Sequence, residues 1–542
     1  MRICDAIVIG SGINGLVAAA MLSRAGWDVV VLEGSPVLGG AIRTAELTAP
    51  GYRHEVFSCW HPLFVGGPAY PGLKDDLERR GLAYRNTATP AGVATTDGAT
   101  AVLSTDEDAL AAELDRYADG DGAVWRREMG EFGAQSKLAF GALGTELWST
   151  AGVRLGLRAL LSMRAGGTLA FAQSALEPAT AWLQRAFRSE QARALFAPWI
   201  NHNGMGPDDA GSAFMLKVIA SATVQGGMPV PVGGGVTLVE ALASIVRDNG
   251  GELHVGATVD RIVVRSGRAV AAVTADGTRY GARHAVLAST TPQALYLDLL
   301  RNAELPAPVR DAARHYRWGR GAMQIHAALR EPLRWRDSRL DSVPLVHVTP
   351  GLDGVRKAVG EASRGVLPAR PSIAAGQPTV LDASRAPDGA AVLWIQLLET
   401  PYRPSADAAD EIDVGDGRWT PQLTEAYADR VLAQLGEQVT NLDQAVLARA
   451  VLSPADLERE NPNLVHGDPY SGACTLDQFL LWRPIPPHPG HQTPVERLWH
   501  IGAATHPGPG LSGASGHIVA THLLRRGPLE RLRGLLAARL QL

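Results

Sequence analysis

The residues with the clearest chemical meaning stand at the start of the chain. Gly10-Ser11-Gly12-Ile13-Asn14-Gly15 is a glycine fingerprint, and Glu33 follows eighteen residues after its last glycine. Glycines at this spacing let a chain turn sharply, bring its backbone against a pyrophosphate and pack a helix closely on a strand. The helix that begins there offers free amide donors and the positive end of its dipole, with Ser11 and Asn14 in the binding turn. A carboxylate at Glu33 accepts hydrogen bonds from ribose hydroxyls and disfavours a 2′-phosphate. The elements needed to position these groups can be read on either side. Residues 5–9 form a short apolar run, 16–22 an alanine- and leucine-rich helix without a breaker, and 28–32 a buried-strand run ending at Glu33. The pattern is a βαβ unit of about thirty residues that binds FAD or NAD.

The next segment decides between them. Gly39-Gly40 followed by Arg43 is a second glycine pair with a cation three residues on. Nicotinamide domains ordinarily use the first fingerprint alone, whereas flavoproteins of the glutathione-reductase type extend it in this way. FAD is therefore the expected cofactor, with Arg43 on the flavin side. Only one strand–fingerprint–helix unit is present, because the glycines 233–235 follow prolines and no predicted strand. Without a second nucleotide domain, electrons leave a reduced flavin directly to an acceptor such as oxygen or a quinone. Cys4, Cys59 and Cys474 form no CxxC pair, which excludes disulfide-reductase chemistry, and no metal-ligating cluster stands out.

Beyond the fingerprint the chain resembles the phytoene desaturase family of flavoproteins, the carotenoid desaturase and isomerase relatives within the amine-oxidase-like superfamily. The resemblance runs through the glycine-rich segment 225–235, the segment 251–262, the strand 285–289 and the C-terminal run Gly502-Ala503-Ala504-Thr505-His506-Pro507-Gly508 continuing to Gly516. It implies an adenine contact at Val259. It also implies a flavin-facing turn at Gly502, Gly510, Gly513 and Ala514, whose following helix faces the pyrimidine side of the ring. The segments 463–467, 475–478 and 482–484 resemble a desaturase-like oxidoreductase branch more than the carotenoid enzymes. His506 beside the flavin turn and His61 in Cys59-Trp60-His61-Pro62 are the candidate catalytic residues. Trp60, His202, His466 and Trp482 are candidates for the substrate pocket.

The expected fold class is α/β: a Rossmann-like FAD-binding domain of glutathione-reductase type with an inserted mixed α+β substrate domain. The FAD domain is assigned to 1–70, 225–300 and 485–542, and the substrate region to 71–224 and 301–484, helical over about 105–220. Within these regions, 185–196 and 213–222 read as helical, and 365–377, rich in Pro, Gly and Ala, reads as a loop. Overall composition agrees with a globular chain: 542 residues, 46% hydrophobic, 20% charged, and 59 glycines and 35 prolines without a period. A net charge of −4 with no basic stripe argues against a nucleic-acid partner. No stretch reaches the length of a spanning helix, and no export signal is evident, so a cytoplasmic protein is expected. Leucines and arginines alternate at helical spacing from Leu529 onward and around 153–163, which fits a membrane surface or a homo-oligomer contact. The expected activity is dehydrogenation of a C–C or C–N bond in a largely apolar small molecule by hydride transfer to flavin. An amine or amino-acid oxidase, a flavin-dependent isomerase and a non-catalytic binding protein like the GDP dissociation inhibitors are the alternatives.

Overall fold

The computed structural model describes residues 1–162 and 165–525. Its first sheet grows from the apolar runs nearest the fingerprint. Val29–Leu32 is four residues long and wholly buried, a pattern that needs cover on both faces of a parallel sheet. Five parallel strands stand in the order Glu252–His254, Val29–Leu32, Arg2–Ile9, Arg279–Ser289 and Leu498–Ile501. The antiparallel pair Val259–Arg265 and Arg268–Thr274 joins the start of Arg279–Ser289, on the edge that Leu498–Ile501 occupies further along. Three helices, Ile13–Arg24, Val236–Asp248 and Ala514–Leu524, cover one face, and the other is covered by the antiparallel pair with the helix Ala307–Arg314.

The second sheet is mixed, in the order Val446–Leu452, Gly321–Leu329, Ala391–Thr400, Ile373–Gly376, Leu345–Thr349, Ala91–Thr95 and Thr100–Leu103. Its central strands alternate with period two. Met323, Ile325, Leu393, Ile395 and Leu397 pack toward the helix Pro421–Gly436, while Ala322, Gln324, Trp394, Gln396 and Leu398 face the opposite side. That opposite side is roofed by the helical region, which includes Ala179–Ala186, Glu190–Phe196 and Ser212–Gly226.

Two local expectations are corrected. The loop expected at 365–377 contains the strand Ile373–Gly376, inside the sheet. Small residues are needed there, because a Cβ on Gly376 would lie 2.1 Å from the indole of Trp60, and their poor strand propensity hides the strand. The helical reading of 185–196 divides at residues 187–189. Asp121 accepts from Ser189 N (3.0 Å) and Oγ (2.7 Å), and Ser189 Oγ in turn caps Ala192 N, so a new helix starts. The leucine-rich run from Leu529 lies outside the described residues, as does Met163 at the end of the other amphipathic stretch.

Candidate functional site

The first half of the site is built from backbone. Gly10 leaves the strand at φ +91°, and Gly12 N-caps the helix Ile13–Arg24, which has no side-chain cap and no acidic residue in its first turn. Its first amides are thus left for an anion. A Cβ on Gly15 would sit 2.1 Å from Gly10 O, so helix and turn are in backbone contact; a Cβ on Gly12 would meet nothing within 4 Å and point into open space. The glycine pair completes this wall: Gly39 bridges to Gly12, and a Cβ on Gly40 would lie 2.9 Å from Gly12 Cα. Ser11 donates from N (2.8 Å) and Oγ (2.7 Å) to one oxygen of Glu33, and Ser35 N (2.7 Å) to the other. This fixes the carboxylate at the end of its strand. Val259 stands just past the point where Ala257 N donates to Glu33 O (2.7 Å).

The C-terminal run closes the same cradle. Gly502 follows its strand at φ +111°, and its N–H donates to Ser515 Oγ (3.0 Å). Gly513 is left-handed and caps Ala514–Leu524, again with no side-chain cap and no acid in the first turn. This helix crosses Ile13–Arg24 so tightly that a Cβ on Gly516 would be 1.9 Å from Asn14 O, and Gly516 N donates to Asn14 Oδ1 (3.3 Å). The uncapped start of Ile13–Arg24, a glycine wall with open space before Gly12 and a fixed carboxylate match the chemistry of a dinucleotide.

The second half is a cavity of about 220 Å³ between this cradle and the second sheet. Ala41, Gly510 and Leu511 border it on the cradle side, and Trp60, Trp199, Trp394, Met228, Leu398 and Leu457 form much of its wall. Among the described residues that line it, none is Asp, Glu, Lys or Arg. Polar groups come from Gln324, Gln396, His202 and Tyr470, among others. His202 Nε2 is hydrogen-bonded to His347 Nε2 at 2.9 Å. Burial holds both rings neutral, with the pKa of His202 down to about 4 and that of His347 well below its ordinary value. The Tyr470 hydroxyl donates to Asn201 O, and burial raises its pKa well above the ordinary phenol value.

Trp60 and His202 therefore line the cavity, and five other residues expected near the chemistry, Arg43 among them, do not. His506 is buried, with Nε2 donating to Ala142 O (2.7 Å) and its pKa lowered to about 4 by desolvation. His61 is buried against Tyr84 (Nδ1 to hydroxyl 3.1 Å), its pKa lowered to about 3 by desolvation and by Arg385. Both belong to loops whose backbones face the site while their rings turn into the packing behind it. His466 is exposed and stacks on Tyr402 with ring centroids 4.6 Å apart. Trp482 is 40% exposed beside Trp148, where a 3-10 turn carries it outward. Arg43 pairs with Glu460 at 2.6 Å and is half-buried.

Sequence reasoning missed Gln324, Gln396 and Trp394, whose signal was a polar or large aromatic residue at alternate positions of an otherwise apolar strand. It also missed a buried ionic clasp behind the cradle. Arg385 bonds Glu55 (2.6 Å), Asp382 (3.1 Å) and Pro231 O (2.6 Å), while Glu55 and Asp382 accept from Gly235 N and Gly233 N (both 2.8 Å). The glycine segment is thereby tied to the second sheet's loops, and no local pattern announces it. Among the described residues there is no metal-ligating group and no helix long and apolar enough to cross a membrane.

Comparison with known proteins places this geometry. The model of the flavin containing amine oxidoreductases matches residues 13–437. The chain is 28% identical to the mouse pyridine nucleotide-disulfide oxidoreductase domain-containing protein 2, over 96% of this chain and 93% of that protein. It is 24% identical to one of the subunits of the limonene dehydrogenase of Castellaniella defragrans (95% and 94% covered) and 23% identical to the neurosporene-forming phytoene desaturase of Cereibacter sphaeroides (94% and 92%). Among solved structures, an oxidoreductase from Methanosarcina mazei shares the fold, with a TM-score of 0.60 at 16% identity, covering 96% of this chain and all of that one.

Proposed function

The chain belongs to the family of flavin containing amine oxidoreductases and is an FAD-dependent oxidoreductase, and from that premise we propose that it dehydrogenates a neutral, largely apolar small molecule at a C–C single bond. The observation that carries this reading is the cavity wall, which among its described residues holds no carboxylate to accompany a protonated amine and no cation to hold an acid. A charged substrate would be desolvated there without a partner, at a cost of several kcal/mol (roughly 3–5). The names of two relatives, a limonene dehydrogenase and a phytoene desaturase, point to hydrocarbon substrates and support the same class.

FAD, when bound, supplies the hydride acceptor. The chain's own residues supply the rest. Gly10, Gly12, Asn14 and Gly15 form the turn that holds the pyrophosphate, Ser11 fixes Glu33 for the ribose, and Val259 stands on the adenine side. Gly39, Gly40, Gly502, Gly510, Gly513 and Ala514 bring backbone to the flavin end, where Arg43 and its partner Glu460 stand nearby. In this reading residues 1–70, 225–300 and 485–542 serve the cofactor, and 71–224 with 301–484 serve the substrate. The three tryptophans exclude water from the cavity. His202, neutral by burial, accepts a proton at Nδ1 while its Nε2 stays engaged with His347. His61 and His506 take positioning roles, holding the loops 59–62 and 502–510 in place. Electrons leave to an acceptor such as oxygen or a quinone.

We read the protein as cytoplasmic and attached to a membrane surface. The helix Thr150–Ser162 exposes Val153, Leu157 and Leu161 along one stripe next to Arg154 and Arg158, and Trp148 and Trp482 are exposed nearby. Residues 147–176 contain no acid, which suits an anionic bilayer better than a second copy of this chain. The test of the reaction is product analysis. A neutral terpene incubated with the FAD-loaded enzyme and a quinone should yield a product lighter by two hydrogens with one quinone reduced per product. A product of unchanged mass would point to isomerisation, and turnover confined to amines with release of ammonia would point to an amine oxidase.

A further inference from the structure

Three residues that line the cavity carry a buried polar atom with no partner among the described residues: Trp199 Nε1 in the turn Ala197–Asn203 and, on the side of the second sheet, Gln324 Oε1 and Trp60 Nε1. Gln324, 1% exposed, donates from Nε2 to Phe57 O (3.3 Å), and Trp394 Nε1 donates to the same oxygen (2.9 Å). Two donors converging on one carbonyl fix the orientation of the amide, and the end left free is the acceptor Oε1, which is buried and unpaired. Trp60 packs edge-on against Trp394 with ring centroids 5.0 Å apart, is 7% exposed, and its donor Nε1 is likewise buried and unpaired. Both side chains line the cavity, on the wall formed by the second sheet. An unmet buried donor or acceptor is costly, so the sheet side of the wall, carrying one of each, is complementary to a ligand group that carries both.

We propose that the substrate bears a hydroxyl group, which donates to Gln324 Oε1 and accepts from Trp60 Nε1, anchoring an otherwise apolar molecule at the sheet side of the cavity. A hydrocarbon pairs neither atom and a ketone or aldehyde pairs only Trp60. An ammonium satisfies Gln324 but brings a charge that no lining residue balances. The inference rests on the reading of this cavity as the site of a neutral substrate, and it narrows that class to alcohols.

The experiment uses the FAD-loaded full chain and three probes of one skeleton: citronellol, its parent hydrocarbon dimethyloctene, and citronellylamine. Binding is followed by the change in the visible flavin spectrum. The wild type should hold citronellol about tenfold more tightly than the hydrocarbon. Gln324→Leu and Trp60→Phe, which keep most of the packing volume, should each bring the affinities for alcohol and hydrocarbon within about twofold of one another. The two variants are independent, so failure of one to fold leaves the other decisive. Equal affinity for alcohol and hydrocarbon in the wild type, or a preference that survives in a folded variant, would overturn the anchor and leave the neutral-substrate reading standing. Tightest binding of the amine, or no response to any probe, would overturn that reading and the anchor together.

Discussion

The glycine cradle proposed for the cofactor and the cavity proposed for the substrate are built on opposite principles. In the cradle the working groups are backbone amides and carbonyls, and side chains matter mainly by being absent: Gly12 opens space, and Gly15, Gly40 and Gly516 allow contacts that a Cβ would forbid. In the cavity the working groups are side chains from at least five separated segments, gathered by a sheet and a helical roof. The lesson is that the first kind of site tolerates no added atom and asks little of chemistry, while the second can change its residues and so its substrate. Substitutions should therefore divide cleanly between loss of cofactor and change of ligand.

The largest effect is expected in the cradle. Gly12→Trp places an indole in open space, so the chain should fold, yet the ring would occupy the room before the first amides of Ile13–Arg24. Losing two or three amide–phosphate bonds costs about 4 kcal/mol or more, a thousandfold in FAD affinity. The purified variant should be colourless with a native circular dichroism spectrum; full FAD retention would remove the pyrophosphate from this turn. Next comes the clasp between the regions. Arg385→Met strands Glu55 and Asp382, with Glu55 fully buried, and should cost roughly 3–5 kcal/mol by guanidinium denaturation. A loss under about 1 kcal/mol would show that the clasp does not couple cradle to cavity.

Acid should act through buried histidines in both regions. His54, His202, His500 and His506 have folded pKa values lowered to about 4 by burial, below an unfolded value near 6.5. Between these values the unfolded chain binds more protons, so the stability present above about pH 6.5 is lost as pH falls toward 4. The slope approaches about 1.4 kcal/mol per pH unit for each proton taken up. Thermal melting should fall between pH 7 and pH 5, and His202→Asn should flatten that fall; an unchanged profile would mean that His202 is not neutral by burial. The smallest effect on stability is expected at the surface. Leu161, 85% exposed, should tolerate Leu161→Glu within about 0.5 kcal/mol. Sedimentation with phosphatidylglycerol vesicles should nevertheless drop, and unchanged sedimentation would remove the helix from any bilayer contact.

The same contrast explains what could be read from sequence. The βαβ unit was legible because a phosphate-binding turn is a local object: glycines 10–15, their flanking apolar runs and Glu33 occupy some thirty consecutive residues. The glycine pair and the C-terminal turn were legible for the same reason. Gln324 and Gln396 were not, although they stand directly across from one another in the second sheet, because 72 positions separate them and only strand register brings them together. His61 and His506 sit in segments that border the cavity, but the direction of a ring depends on packing that no motif encodes. The strand Ile373–Gly376 was hidden by small residues chosen to fit Trp60.

The most direct test of the central claim is the visible spectrum of the FAD-loaded protein under strict anaerobiosis during addition of a neutral terpene and, separately, of cyclohexylamine. The account predicts that the flavin band bleaches with the terpene, with one flavin reduced per molecule oxidised, and stays unchanged with the amine. Bleaching by the amine alone would contradict it and make the uncharged cavity an amine-binding site.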